Sequence, residues 1–537
     1  MPEQPTDHVV DQSSTPPQAP LAARIGLILG PLLLLLTWLT PAPGDMPDTA
    51  WLCVGLALLM ATWWATEALP IPVTSLLPIV LVPALGIDDI KSTTAAYANP
   101  TIYLFLGGFL LGIAMQRWDL HRRVALHTLK LAGHSPRRQI AGFMIATGFI
   151  SMWVSNTATS IMMLPIGMSV VSLMSSGRDE RDSDDPELKR YAAALLLAIA
   201  YSASLGGIAT LIGTPPNALL AGYLSSDQGI EIGFAQWMVV GLPVAIAMCT
   251  ITWWWLTRTP FSFASETSDS GEMIKRELKA LGVMSSAEKR VGIAFLVAAL
   301  LWMFRPLINQ SGLEWLSDTG IAMAIGVGLF AIPSGTSRGR RLLVWEDARD
   351  LPWGVLLLFG GGLALAGVIK SSGLAEWIAG QLSMFSVLPL IGLVGIVVLV
   401  IIFLTEVTSN TATAAAFLPL LGALALSLDI DPLLITVPAA IAASCAFMMP
   451  VATPPNAIVF ATGHLKIQTM MRAGFFLNLA GTVVVTLLAY GLIVALWPPK
   501  RQRRTPMESG VVVHARQILR HLIMTPAVMF RRSRGSP

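Results

Sequence analysis

Two short strings each occur twice in this chain, in the same order and at nearly the same spacing, and this duplication restricts the fold more than any other feature. Ser-Asn-Thr-Ala-Thr, followed by four residues and Leu-Pro, runs from Ser155 to Pro165 and again from Ser409 to Pro419, 254 residues later. Thr-Pro-Pro-Asn-Ala occupies Thr214–Ala218 and Thr453–Ala457, an offset of 239. A looser pair, Phe105-Leu-Gly-Gly and Phe359-Gly-Gly-Gly, also lies 254 apart. The 15-residue difference between the offsets matches the charged segment Ser175–Arg190, which the second half lacks. Self-similarity of this kind marks two copies of one structural unit.

The strings are polar, yet their surroundings are not. One Ser-Asn-Thr lies between Ile150 and Leu164, the other between Ile402 and Leu418. With 54% hydrophobic and only 12% charged residues, the chain falls far outside soluble composition. Apolar runs such as Ile25–Leu39, Ala50–Leu69, Val291–Met303 and Thr482–Trp497 reach, with their flanks, the roughly 18 residues that cross a bilayer core of about 30 Å. About eleven such segments are predicted. The expected fold is therefore an all-α polytopic membrane protein. Cys53, Cys249 and Cys445 sit inside apolar runs and suggest neither a disulfide frame nor a metal site.

Polar groups at membrane depth need partners or a ligand. Ser, Asn and Thr are preferred helix N-caps, so a helix break at Ser-Asn-Thr aims backbone N–H groups at an anion. Their oxygens also suit a desolvated Na⁺. The Pro-Pro pairs at Pro215 and Pro454 are expected to stop the preceding helix and free backbone groups there. A single such string is more often packing glue. Broken helices at matching places in two halves point instead to a transport site.

Positive charge sets the orientation. The stretches 117–138, 178–190, 258–290, 338–349 and 466–472 hold 22 Lys and Arg, whereas the intervening stretches hold only Lys91 and Lys370. The first set is placed in the cytoplasm, as is the N-terminus. The first unit then opens inward and the second outward, giving two inverted-topology repeats with a site between them near the midplane. One segment disobeys: an eleven-span path ends outside, yet residues 500–537 carry nine Lys and Arg. Either that tail is translocated or a further helix around Val511–Phe530 keeps it inside.

The domain reading is residues 1–20 as a disordered cytoplasmic tail, 21–256 as the first helix and first repeat, and 257–290 as a cytoplasmic connection. The second repeat is 291–497 and the basic C-terminal tail 498–537. Among intramembrane acids, Glu406 beside the second Ser-Asn-Thr is the one to watch, and Glu67 fits an interfacial helix end. Gly107, Gly108 and Gly360–Gly362 read as close-packing positions. Arg305 and Glu314 read as structural residues flanking an outer loop.

The paired Ser-Asn-Thr and Thr-Pro-Pro-Asn strings, with the inverted repeat around residues 20–497, resemble the divalent anion:sodium symporter family, which carries dicarboxylates, citrate or sulfate. The resemblance implies a homodimer in the inner (plasma) membrane, with scaffold and transport domains and an elevator-type alternating access. It implies two re-entrant hairpins tipped by the Ser-Asn-Thr strings. One sodium site would use Ser151, Ser155, Asn156 and Gly213, and the other Thr405, Thr408, Asn410 and Ala452. Asn156, Thr157, Ser409, Asn410, Thr411, Thr453 and Pro454 would surround the substrate carboxylates, with Thr214 and Pro215 as the symmetric candidates. Thr408 departs from the family, in which a small apolar residue serves as a carbonyl ligand.

The expected function is sodium-coupled symport of a C4-dicarboxylate such as succinate, malate or fumarate, or of citrate. A sodium-independent exchanger and a sodium/sulfate symporter are the alternatives on the same fold. No Arg, Lys or His lies within the repeated strings, so bound sodium would supply the positive charge that a di- or trianion needs. Sodium is the coupling ion, no other cofactor is expected, and the partners are lipid and small anions rather than nucleic acid. The chain has no HExxH, GxSxG or P-loop pattern, and an enzyme is not expected.

Overall fold

The computed structural model describes residues 21–133, 135–176, 186–258, 270–310, 312–313, 315–335, 339–381 and 389–497. The expected N-terminal tail 1–20, most of the charged segment Ser175–Arg190, Glu314, and the basic tail with its helix around Val511–Phe530 lie outside these residues. Among the described residues the regular elements are all helical, apart from one isolated bridge between Pro333 and Arg341.

Nine helices among the described residues are long and apolar enough to cross a bilayer, and four more, Ile71–Ala84, Asp318–Ala331, Leu390–Thr405 and Leu433–Ala443, are apolar but shorter. Length alone therefore does not return eleven. An eleven-span count needs Asn410–Ser427 to be half of a hairpin and three of the shorter helices to cross.

Burial sorts these helices into centre and periphery. Pro186–Ile208 is buried on every side along its apolar window, whereas Leu21–Leu39 and Ser286–Gln310 are only 22% and 28% buried. A helix that is apolar all round and buried all round is a core element. The outer helices turn Ile25, Leu32, Leu296 and Leu307 outward, an apolar surface of the kind a bilayer covers.

Two consecutive helices, Pro136–Ser151 and Asn156–Ser176, both pack on Pro186–Ile208. Leu390–Thr405 and Asn410–Ser427 both pack in the same way on Leu433–Ala443. The short helices that follow cross over. Pro215–Gln228 packs on Asn410–Ser427 and Leu433–Ala443, while Pro454–Phe460 packs on Asn156–Ser176 and Pro186–Ile208.

Glycine makes the closest approaches possible. A Cβ at Gly206 would lie 2.2 Å from the Gly148 carbonyl oxygen, one at Gly107 2.4 Å from Ala322 backbone, and one at Gly361 2.3 Å from the Ser75 carbonyl oxygen. Gly107, Gly108 and Gly360–Gly362 are close-packing positions, as their sequence context suggests. Glu67 is the C-cap of Asp48–Thr66, in a left-handed conformation, and so sits at a helix end. Arg305 pairs with Asp318 at 2.9 Å, and Asp318 also accepts the Phe234 N–H at 2.8 Å. At the opposite helix ends, Arg123 pairs with Glu288 at 2.8 Å and Arg122 with Glu277 at 2.6 Å, fastening the helix Ser270–Leu281 to Leu120–Ala132.

Candidate binding site between the two halves

All four repeated strings begin a helix. Asn156 and Asn410 are first residues of helices, with Ser409 as an N-cap in extended conformation. Thr214 and Thr453 are N-caps, each followed by two prolines in the first turn. The prolines therefore start helices rather than stop them, a correction to the sequence reading. The preceding helices already end at Ile208 and Ala443. Proline is at home in a first turn because its missing N–H has no intrahelical partner to lose and its φ is already helical.

Behind the first Ser-Asn-Thr, oxygens crowd together. Ser151 Oγ lies 2.7 Å from Asn156 Oδ1 and 2.6 Å from the Ala203 carbonyl oxygen. The Asn156 side chain is also 3.1 Å from the Ala203 oxygen and 3.3 Å from the Gly213 oxygen. One hydroxyl proton cannot satisfy these acceptors. Turning the amide over would bring its N–H₂ to the same three oxygens, and a cation would satisfy them with the amide oxygen inward. The second half repeats the arrangement, with Thr405 Oγ1 at 2.8 Å from Asn410 Oδ1 and 3.0 Å from the Ala443 oxygen.

The unwound stretches are braced by a second matching pair. Asn217 Nδ2 donates to the Gly207, Ile208 and Thr210 carbonyls at 3.1, 3.3 and 2.8 Å, and Asn456 Nδ2 donates to those of Ala446 and Met449, both at 3.1 Å. The two halves meet here, with Tyr201 donating to the Phe447 carbonyl at 2.7 Å and Thr214 Oγ1 lying 3.5 Å from Ser444 Oγ.

The structure thus brings together Ser151, Asn156 and Gly213 on one side and Thr405 and Asn410 on the other. The Ser155 hydroxyl instead caps the Ala158 N–H at 3.3 Å, and that of Thr408 bonds Leu404 O and Thr413 Oγ1 at 2.9 and 2.6 Å. A Thr408 contribution to a cation would come from its carbonyl. Ala452 is buried, with its N–H on the Met449 carbonyl at 3.2 Å. Thr214 and Thr453 are buried, whereas Thr157, Ser409, Thr411 and Pro215 are partly exposed and Pro454 is exposed. Sequence reasoning missed the Ala203 and Ala443 carbonyls and the bracing role of Asn217 and Asn456. The asparagines were visible in the repeated string, but a carbonyl leaves no mark on a sequence.

Residues 22–497 match the family described as sodium:sulfate symporter transmembrane region. The chain belongs to this family, the divalent anion:sodium symporters. Among relatives of this family, the sodium-dependent dicarboxylate transporter SdcS of Staphylococcus saprophyticus is 45% identical over 476 residues, covering 87% of this chain and 91% of that protein. SdcS of Staphylococcus aureus is 45% identical over 473 residues, with 87% and 90% covered. The chain is thus a symporter-family membrane protein and not an enzyme. Two solved structures share the fold at low identity. MtrF of Neisseria gonorrhoeae, titled as one of a class of antimetabolite efflux pumps, aligns with a TM-score of 0.53 and 14% identity over 88% of this chain and 95% of that one. The YdaH transporter of Alcanivorax borkumensis aligns at 0.50 and 16%, covering 87% and 98%.

Proposed function

We propose that this protein is a sodium-coupled symporter of small dicarboxylates, carrying succinate, malate or fumarate, or citrate, across the plasma membrane. The observation that carries the reading is the pair of matching oxygen clusters, Ser151–Asn156–Ala203 and Thr405–Asn410–Ala443, with no fixed cation in the repeated strings. Neutral oxygens facing one another suit a hard monovalent cation. The helix N-termini at Asn156 and Asn410 add N–H groups and positive dipole ends, which suit a carboxylate, whereas those at Pro215 and Pro454 open on two prolines without N–H groups and add the dipole end alone.

A dianion held only by dipoles lacks a counter-charge, and bound sodium supplies it. The relatives named as sodium-dependent dicarboxylate transporters support the same pairing of ligands. In this reading Ser151, Ser155, Asn156 and Gly213 hold one ion, and Thr405, Thr408, Asn410 and Ala452 the other. The substrate lies between Asn156, Thr157, Ser409, Asn410, Thr411, Thr453 and Pro454, with Thr214 and Pro215 facing it from the first half. Movement is of the elevator type, within a homodimer whose N-terminus is cytoplasmic.

Uptake of radiolabelled succinate, citrate and sulfate into proteoliposomes, with Na⁺ or choline outside, tests the proposal. Sodium-driven succinate uptake into vesicles empty of counter-anion is the expected result. Uptake that needs an internal anion and ignores sodium would make the protein an exchanger. The family description favours one second reading, sodium/sulfate symport, and sulfate transported in preference to succinate would establish it.

A further inference from the structure

The two halves are alike in their oxygen clusters but not in how the unwound stretch behind each is held. In the first half the helix Pro186–Ile208 continues to Ile208. In the second, the matching helix stops at Ala443, four residues before Phe447, the position equivalent to Ile208. The N–H groups released there need acceptors. Glu406 supplies them. Its Oε1 accepts from Phe447 N at 2.6 Å and Met448 N at 2.9 Å, and its Oε2 from Met449 N at 2.9 Å. Asn478, on the helix Ile467–Val484, donates its Nδ2 to the same carboxylate at 2.8 Å. Glu406 is 3% exposed. The equivalent residue in the first half is Met152, whose thioether side chain offers no carboxylate, and whose backbone N–H donates to the Gly148 carbonyl at 3.2 Å while its carbonyl accepts from Thr210 Oγ1 at 2.5 Å.

The clamped stretch is tied to the second oxygen cluster at both ends. Glu406 adjoins Thr405, whose hydroxyl reaches Asn410 and the Ala443 carbonyl. Met449, held by Oε2, accepts the Ala452 N–H at 3.2 Å. Tyr201 and Asn456 hold the carbonyl side of the same stretch. Loss of the carboxylate would leave three N–H groups unpaired, that of Phe447 buried and those of Met448 and Met449 partly buried, and free Ala443 and Ala452 to drift from Thr405 and Asn410.

We propose that Glu406 is a positioning residue for cation binding in the second half, with Asn478 orienting its carboxylate. The inference rests on the sodium-coupled reading above. It makes the two cation sites unequal, because only one depends on a carboxylate clamp.

The test uses the full chain with Glu406→Gln, isosteric but able to offer one acceptor oxygen only, and Asn478→Ala, which removes a single donor. Hydrogen exchange of the Phe447–Met449 amides is followed without sodium, and succinate uptake is titrated with sodium at saturating substrate. In Glu406→Gln, these amides should exchange about tenfold faster or more, and the half-saturating sodium concentration should rise about tenfold, the loss expected for a hydrogen bond to a charged group. The Hill coefficient for sodium should fall, while the succinate KM at saturating sodium stays near wild type. Asn478→Ala should move both readouts in the same direction by less, and it carries the test if Glu406→Gln fails to fold. Unchanged sodium half-saturation and Hill coefficient, with the loss confined to melting temperature or maximal rate, would overturn the proposal. Sodium-independent uptake by the wild type would instead overturn the coupling reading. Unchanged amide exchange in Glu406→Gln would then overturn the clamp as well.

Discussion

Replacing Asn156 or Asn410 by Asp separates the two ligands that the proposed site holds. In the first cluster the Asn156 side chain lies 2.7 Å from Ser151 Oγ, 3.1 Å from the Ala203 oxygen and 3.3 Å from the Gly213 oxygen. A carboxylate at this position can accept the one Ser151 proton but faces two carbonyl oxygens with nothing to donate. The sodium-free protein should therefore lose stability, while a bound cation gains a full negative charge as ligand. Tenfold tighter sodium adds about 1.4 kcal/mol of stabilisation at a given concentration well above Kd. For the substrate the sign reverses. A dianion seated on the adjacent helix N-terminus comes within about 4 Å of the new charge, and at an effective dielectric of about 20 the repulsion is roughly 4 kcal/mol, or about three decades of affinity. Leu at either position should abolish the binding of both ligands, because it removes the oxygen. Sodium-induced thermal stabilisation measured beside succinate uptake, for both Asp and both Leu variants, reads these signs separately. Wild-type uptake in either Asp variant would refute the site assignment and make Ser-Asn-Thr a packing element.

Succinate uptake should rise cooperatively with external sodium and become electrogenic if more than two ions enter with each dianion; vesicles with a clamped membrane potential check the charge. Gly206→Ala should lower the melting temperature strongly or prevent folding, since its Cβ would lie 2.2 Å from the Gly148 oxygen, whereas Gly328→Ala, with open space around it, should be nearly neutral. Burial pushes the Asp227 carboxyl up to about 6, against the opposing pull of Lys370, whose Nζ donates to the Asp227 carbonyl at 2.8 Å. A raised carboxyl pKa favours the protonated folded state, so this contribution to stability is complete below the ordinary range near 4 and is lost as pH rises through about 6. Melting temperatures of Asp227→Asn should lack that fall between about pH 4 and 6.

Local chemistry was legible in the sequence and long-range geometry was not. Asn156 and Asn410 each open a helix because capping preferences act over a few residues. The close-packing glycines were equally plain. The carbonyls of Ala203 and Ala443 were invisible, since every residue carries one and only the path of the chain aims these two at Ser151 and Thr405. Glu406 stood out as an acid in an apolar run, but its four donors come from 41 to 72 positions away and no local pattern marks them. The prolines misled for a related reason. A Pro-Pro pair suits either the end of one helix or the first turn of another, and which role it takes depends on where the preceding helix has already ended.

The reciprocal packing of the short helices bears on how two ligands could be coupled. Pro215–Gln228 leans on helices of the second half and Pro454–Phe460 on helices of the first, so neither half holds its own N-terminal dipole apart from the other. A cation drawn into the oxygens around Asn156 relieves repulsion beside the N-terminus of Asn156–Ser176, against which the second-half helix Pro454–Phe460 packs. The same holds in reverse for Asn410 and the helix Pro215–Gln228. Under the proposed function, each ion then acts on a helix that carries the packing of a short helix from the other half. Thermodynamic reciprocity requires the anion to tighten both ions by the factor that they tighten it. Because no Lys, Arg or His in the repeated strings supplies a permanent counter-charge, that factor has no fixed cation to dilute it. Introducing one, as in Thr157→Lys, should therefore weaken sodium dependence before it weakens substrate binding. Succinate uptake by that variant in choline, compared with wild type, measures the effect, and an unchanged sodium requirement would show that the ions act elsewhere than on the charge of the substrate.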